Sequence, residues 1–289
     1  MLNWRRRNLL TTDLSTAGYL ILTGILILIF QEKLAHSLVH LLFRLGIILL
    51  ITVLVYLQRK KANKFIRFIQ SFYPFVLLAY TFGETAYLNH LFFQHSFDSI
   101  IIHWELVLFG SQPSIEFSRH FPEHWFAELL NFSYLSYYFM TLGLALVYYF
   151  RYPQEAEKMI FIIITSLYIY YLIFILIPTE GPQYYLPAPL NQAIRSGIFS
   201  DLVQFVEHYG DKPTGAFPSS HVGMSFIYLI LTYRKLPKLF WLLLPFVLLI
   251  CMATVYIKAH YALDVIGGMV SAPLIYLVAR WMHTKIVNP

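Results

Sequence analysis

Lys158-Met-Ile-Phe-Ile-Ile-Ile-Thr-Ser-Leu-Tyr-Ile-Tyr-Tyr-Leu-Ile-Phe-Ile-Leu-Ile-Pro178 carries one charge in 21 positions, and that charge stands at its first residue. A helix needs roughly 20 apolar residues to cross the hydrocarbon core of a bilayer, and this stretch supplies them without interruption. It is not an isolated case. The chain is 58% hydrophobic and 12% charged, against about 25% charged residues in soluble domains. Its mean hydropathy of +0.61 leaves too little polar material to cover a soluble domain of this size.

Reading outward from 158–178 gives eight spans, at about 15–31, 38–57, 69–91, 126–150, 158–178, 218–233, 239–257 and 261–282. The expected fold is therefore an all-α integral membrane protein of about eight transmembrane helices. Residues 1–67 form an N-terminal two-helix extension, and 68–289 a six-helix core. The basic start Met1-Leu-Asn-Trp-Arg-Arg-Arg7 precedes a long apolar run with no small-x-small cleavage site, and reads as a retained first span. The one cysteine, Cys251, excludes an intrachain disulfide. The stretches 92–125 and 179–217 are rich in Pro, Gly, His and aromatic residues, which fits interfacial helices and loops.

Fifteen of the 21 Lys and Arg residues fall into five clusters: Arg5–Arg7; Arg59, Lys60, Lys61, Lys64 and Arg67; Arg151 and Lys158; Arg234, Lys235 and Lys238; Arg280 and Lys285. All five share one side if all eight spans cross. The other side receives Lys33, Arg119, Arg195, Lys212 and Lys258, and Arg44 falls within a span. The positive-inside rule then puts both termini in the cytoplasm of a multi-pass cell-membrane protein, with 92–125 and 179–217 facing outward. This distribution accounts for the +6 net charge without nucleic acid.

Two motifs on the outward side carry chemistry. Gly215-Ala-Phe-Pro-Ser-Ser-His221 opens the sixth span. Serines at a helix start, with the free N–H groups and the positive end of the dipole, make an anion site suited to phosphate, so Ser219 and Ser220 are candidate phosphate ligands. His221 lies at the rim. The plainer reading is a capped membrane helix with an interfacial histidine. The second motif is Tyr256-Ile-Lys-Ala-His-Tyr-Ala-Leu-Asp-Val-Ile-Gly-Gly268, at the mouth of the eighth span. His260 and Asp264 are at i and i+4. An aspartate inside an apolar run points to function, and a carboxylate on one ring nitrogen leaves the other as nucleophile or base. The plainer reading is a structural His–Asp pair. Gly267 and Gly268 allow close packing of helices beneath. Together, an anion site and two histidines at similar depth fit phosphoryl transfer. His260 would be the nucleophile, His221 the acid and then base, and Asp264 the orienting group.

Phe217-Pro-Ser-Ser-His221 and His260-Tyr-Ala-Leu-Asp264 resemble the second and third signatures of the type 2 phosphatidate phosphatase superfamily, in the form most similar to the branch containing inositol phosphorylceramide synthase. Asp98, Glu105, Leu108-Phe-Gly110 and Pro113 resemble that branch's acidic stretch, and Ser133-Tyr-Leu-Ser-Tyr-Tyr138 and Pro178-x-x-Gly-Pro182 also resemble it. The resemblance covers about residues 98 to 270. It implies metal-independent chemistry without cofactors, with the histidine roles given above. It also makes Asp98, Glu105 and Tyr261 weaker substrate-lining candidates.

The chain departs from the superfamily in its cations. Thr254 stands where an arginine precedes the nucleophilic histidine by six residues, no Lys…Arg-Pro signature occurs, and Gln183 follows Gly181-Pro182 where the branch often has arginine. Gln183, Lys212 and Lys258 are then the candidates to help hold phosphate, with Arg195 weaker. His90, His95, His103, His120 and His124 lack metal-ligand spacing, and no metal site is expected. Glu84, inside the third span, pairs with another helix or lines the substrate route. The expected activity is a lipid-phosphate phosphatase using a phosphohistidine at the outer face. The alternative is a phosphotransferase that moves a phospho-headgroup to a lipid or alcohol. A proton-relaying transporter ranks lower, since the polar groups gather at one face.

Overall fold

The computed structural model describes residues 8–194 and 197–288, so Arg195 lies outside the described residues. Among these, twelve α-helices and no strand are found: α1 Thr11–Ile29, α2 Ser37–Lys60, α3 Lys64–Leu88, α4 Asp98–Phe109, α5 Pro113–His120, α6 His124–Arg151, α7 Ala156–Leu176, α8 Pro182–Tyr185, α9 Ile198–Gly210, α10 Ser220–Thr232, α11 Pro237–Tyr256 and α12 Ala262–Val287. Seven are long and apolar enough to cross a membrane: α1, α2, α3, α6, α7, α11 and α12. They fall where the hydropathy of the sequence places spans. The stretches 92–125 and 179–217 hold α4 and α5, and α8 and α9.

The sixth expected span is the exception. Residues 218–233 hold α10, whose 13 residues rise about 20 Å against a hydrocarbon core of about 30 Å. The helix is three residues shorter than the apolar run, because Pro218 and Ser219 precede it and Tyr233 caps its end. Instead the chain turns inward before α10 begins. Ala216 N–H donates to the Thr179 carbonyl at 3.3 Å, Phe217 N–H to Thr179 Oγ1 at 2.7 Å, and Ser219 N–H to the Asp264 carbonyl at 3.0 Å. Irregular backbone in a membrane protein is stable only when its polar groups are satisfied inside protein, and these bonds satisfy three of them. Gly215 makes the turn at φ 76°, in the left-handed region that L side chains rarely adopt.

The chain divides into two compact units. The first comprises Met1–Thr81, Leu144–Tyr168 and Leu277–Pro289. Its polar interior ties the start of α1 in place. Asp13 accepts from Leu10 N–H at 2.8 Å, Gln70 Nε2 at 2.6 Å and the Tyr73 hydroxyl at 3.2 Å, and Glu157 accepts from Thr11 N–H at 2.9 Å. Arg44 of α2 is buried and donates to the Leu20 carbonyl and Thr23 Oγ1 of α1, at 3.2 and 3.0 Å. Where no water is available, such bonds fix helix neighbours that apolar contact alone leaves free to slide.

The second unit comprises Phe82–Gly143 and Ile169–Tyr276 and holds both motifs. Its core includes Ala127, Leu130, Tyr134, Leu135, Val203, Ala253, Tyr256 and Ile257. The Tyr256 hydroxyl donates to the Phe121 carbonyl at 2.7 Å and closes α5 over the end of α11. Beneath the motifs, α10 and α12 meet at glycine. A Cβ on Gly268 would stand 2.6 Å from the Ser219 carbonyl oxygen. Gly268→Ala should therefore force the start of α10 away from α12, at a cost of about 1–3 kcal/mol. The expected result is a lower unfolding temperature in detergent than for Gly18→Ala, whose Cβ meets nothing within 4 Å. Equal temperatures for the two variants would contradict the close approach.

Candidate active site

The site is assembled from three backbone turns and one helix start. His260 lies in the short connection between α11 and α12, and His221 is the second residue of α10. Their rings meet with His260 Nε2 3.4 Å from His221 Nδ1 and ring centroids 5.6 Å apart. The other nitrogen of His260, Nδ1, lies 2.8 Å from the Ala216 carbonyl oxygen and 3.5 Å from Asp264 Oδ2. A carbonyl can only accept, so Nδ1 carries the proton and Nε2 presents a lone pair. The expectation from sequence gave this orienting role to Asp264 alone. In the structure the Ala216 carbonyl is the shorter partner and the carboxylate the more distant one.

Asp264 has a second task. Its Oδ2 accepts from Tyr261 N–H at 2.7 Å. Asp264 is the third residue of α12 and Tyr261 the residue before it, so this bond is the reciprocal half of a capping box. The other oxygen, Oδ1, is buried with no hydrogen-bond partner. Ser219 is fully buried as N-cap of α10, where its Oγ accepts from Val222 N–H at 3.3 Å. The first-turn N–H groups of Ser220 and His221 have no carbonyl earlier in the helix to bond, which is the arrangement an anion needs. His221 itself is packed against tyrosines, with ring centroids 4.8 Å from Tyr134 and 4.4 Å from Tyr137.

Two acidic residues of α4 hold the mouth of α12 from behind. Asp98 accepts from Glu180 and Gly181 N–H at 2.8 Å each and from the Tyr261 hydroxyl at 3.0 Å, and is fully buried. Glu105, seven residues on, accepts from Leu263 N–H at 3.2 Å. Asp98 and Tyr261 are thus bonded to the chain itself, as is one oxygen of Glu105, whose Oε2 is buried with no hydrogen-bond partner.

The candidate phosphate ligands separate. Ser220 and Gln183 line a small cleft with His221 and His260. Lys258, buried at the turn, donates its amine to the Leu190 carbonyl at 2.7 Å, and burial lowers its pKa. Lys212 is exposed and lies outside the cleft lining. Both lining carboxylates, Asp211 and Glu180, lie outside the sequence reading. Asp211 Oδ2 accepts from Gln183 Nε2, and its Oδ1 accepts from Lys212 N–H at 3.0 Å. Burial pushes its carboxyl up to about 6, against the pull of the Lys212 N–H, His260, Gln183 and the Lys212 charge. A search of the outer loops for cations passes over it, although it stands four residues before Gly215.

Gln183 and Asp211 also line a second, larger cavity of about 450 Å³, together with Asn131, Asn191, Gln204 and Glu207. The hydrogen-bonded Gln183–Asp211 pair is thus shared by the cleft and the larger cavity.

Burial pushes the Glu105 carboxyl up to about 7; the Leu263 and Ala262 N–H groups pull it back in part, and the Asp264 charge pushes it up. An unfolded Glu titrates near 4.3. The folded state therefore binds the proton more tightly, and the stability this gives is fully present below about pH 4.3 and lost as pH rises through about 7. Glu105→Gln keeps an acceptor for Leu263 and cannot ionise. Unfolding in detergent should show a shallower fall in stability between pH 4.5 and 7.5 than wild type; an identical slope would contradict the burial of an ionising Glu105.

Comparisons with known proteins bear on the family of the chain. The model of the PAP2 superfamily matches residues 100–278, which include both histidines, Asp264 and Glu105. A PA-phosphatase related-family protein of Dictyostelium discoideum is 24% identical over 199 residues, covering 60% of this chain and 36% of that protein. The catalytic subunit of inositol phosphorylceramide synthase of Schizosaccharomyces pombe is 28% identical over 78 residues, covering 26% of this chain and 18% of that protein. The chain thus spans about a third or less of the length of these curated relatives. No solved structure matches it. With more than half of its length matched, and with paired histidines on a helix start and a helix mouth, this chain belongs to the PAP2 superfamily.

Proposed function

We propose that this protein is a membrane enzyme that transfers the phosphoryl group of a phosphorylated lipid through a covalent phosphohistidine on His260. The observation that carries the reading is the pinning of His260 Nδ1 by the Ala216 carbonyl at 2.8 Å, with Nε2 directed at His221. A substrate phosphate takes the place of His221 as the partner of Nε2, with its oxygens on the first turn of α10 and on Ser220. The Nε2 lone pair forms the N–P bond as the P–O bond to the lipid breaks, and the leaving alkoxide takes a proton from His221. In the second step an incoming oxygen forms the new O–P bond and gives its proton to His221, and the N–P bond breaks. Water as acceptor makes the enzyme a lipid phosphatase; an alcohol makes it a phosphotransferase. Both kinds of protein are named among its relatives.

The reading places the site on the extracytoplasmic side with both termini in the cytoplasm. In its support, Arg59, Lys60, Lys61, Lys64 and Arg67 gather where α2 passes to α3, and Arg234, Lys235 and Lys238 where α10 passes to α11. The connections that carry the two motifs are far poorer in basic residues.

Purified protein in detergent should release product from phosphorylated lipid, with His260→Ala lowering kcat by at least about a thousandfold and leaving the helical content unchanged. His221→Ala should lower it less for a substrate with a good leaving group, since that alkoxide needs no proton. Activity that survives His260→Ala, or an equal loss for good and poor leaving groups in His221→Ala, would contradict these roles.

A further inference from the structure

Two short helices outside the spans carry apolar side chains where a helix in water carries polar ones. In α4, Asp98, Ile101 and Glu105 are buried, so both carboxylates of the helix point into the protein. Turned away from them, Ile100, Trp104, Val107 and Leu108 are each more than half exposed, and Leu106 and Phe109 nearly so. Only Ser99 and His103 are polar among the exposed positions of this helix. This is the reverse of an amphipathic helix that packs its apolar stripe on a core. In α9, Ser200 and Val203 are buried, while Ile198, Leu202, Phe205 and Tyr209 lie exposed at i, i+4, i+7 and i+11. Apolar patches of this extent on a protein surface mark an interaction site. With 12 residues, α4 rises about 18 Å and cannot cross a hydrocarbon core of about 30 Å.

We propose that α4 is seated in the membrane surface, with Ile100, Trp104, Val107 and Leu108 in lipid, and that this seating holds the mouth of α12 in place. An interfacial helix sinks its apolar face about 5–10 Å into the boundary between headgroups and acyl chains. Three features favour lipid over a partner protein. Helix faces that pack on other helices in membranes are rich in Gly, Ala, Ser and Thr, and this one is built of large side chains. Its surface continues from a span: Phe92 and Phe93, just beyond α3, are exposed, and the Phe93 ring lies 5.0 Å from that of Phe97 at the start of α4. Trp104 is of the type that gathers where acyl chains meet headgroups. The inner side of the same helix grips the site. Asp98 accepts from the Gly181 N–H and the Tyr261 hydroxyl, and Glu105 from the Leu263 N–H. Tyr261 follows His260 and Leu263 precedes Asp264, so the residues that α4 holds stand beside both. Lipid that fixes the depth of α4 thereby fixes the position of that turn.

The test uses the full chain in phosphatidylcholine liposomes and needs no turnover, so its outcome is separate from that of the phosphoryl-transfer reading. Nitroxide labels at Ile100→Cys and Val107→Cys, in a Cys251→Ala background, are compared with two references. Val270→Cys, on the exposed side of span α12, reports lipid, and Arg119→Cys, exposed on α5, reports water. The expected ratio of oxygen to nickel-chelate collision rates is at least about tenfold higher at Ile100 and Val107 than at Arg119, and close to that at Val270. A ratio like that of Arg119 would put α4 in water. Labels shielded from both reagents would put a partner protein or a second copy of the chain on this face. Either result overturns the seating. Hydrogen exchange reads the link to the site. A carboxylate is expensive in lipid, so Val107→Asp should speed exchange of the Gly181 and Leu263 amides at least about tenfold. The Val222 amide of α10, bonded to Ser219, should keep its wild-type rate. Val107→Gln serves if Val107→Asp does not fold. Unchanged exchange at Gly181 and Leu263, or an equal rise at Val222, would overturn the link to the mouth of α12.

Discussion

The hydrogen bond from His260 Nδ1 to the Ala216 carbonyl joins the two halves of the site, and the arrangement around it exists to keep it in place. Ala216 belongs to the turn that leads into α10, and His260 to the turn that leads into α12. A single bond of 2.8 Å therefore fixes the tautomer of one histidine and sets its distance to the other. Because a carbonyl has no proton to give, the choice of which nitrogen reacts does not depend on the ionisation of a neighbour. Asp264, at 3.5 Å, adds negative charge behind the ring, and in the proposed transfer it would favour the imidazolium-like charge that grows on His260 as its other nitrogen bonds to phosphorus.

Holding two irregular turns inside a membrane protein requires that every backbone N–H find an acceptor, and the unit that contains the site meets this with buried carboxylates and one threonine. Thr179 serves Ala216 and Phe217; Asp98 serves Glu180, Gly181 and the Tyr261 hydroxyl; Glu105 serves Leu263; Asp264 serves Tyr261. Leaving a buried donor unpaired costs about 1–3 kcal/mol, so each acceptor supports the turn it reaches by that order. The same carboxylates burden the region with negative charge.

Much of this was legible in the sequence because membrane burial leaves coarse marks. Apolar runs of span length located seven helices, and the spacing of His260 and Asp264 brought the pair together, although His260 lies in the connection ahead of α12 and not on its first turn. Ser219-Ser220-His221 marked a helix start. Hydropathy also located α10, at 13 residues the shortest of the eight, since Pro218 and Ser219 at the start of that run lie ahead of the helix. The resemblance marks Asp98 and Glu105 as carboxylates that matter, but a motif does not show which way a side chain faces. Asp211 was missed for a physical reason: a phosphate site was searched for positive charge. Lys258 looked well placed two residues from His260, yet its left-handed backbone at φ 67° turns it to the Leu190 carbonyl.

The most direct test of the account is the identity of the phosphorylated nitrogen. The full chain would be mixed with a lipid labelled in its phosphate, quenched in alkali where phosphohistidine survives, and digested to locate the label and its ring position. The account predicts label on His260 at Nε2, the nitrogen left free by the Ala216 carbonyl. Label on Nδ1 of His260, or on His221 or a serine of the α10 start, would contradict it.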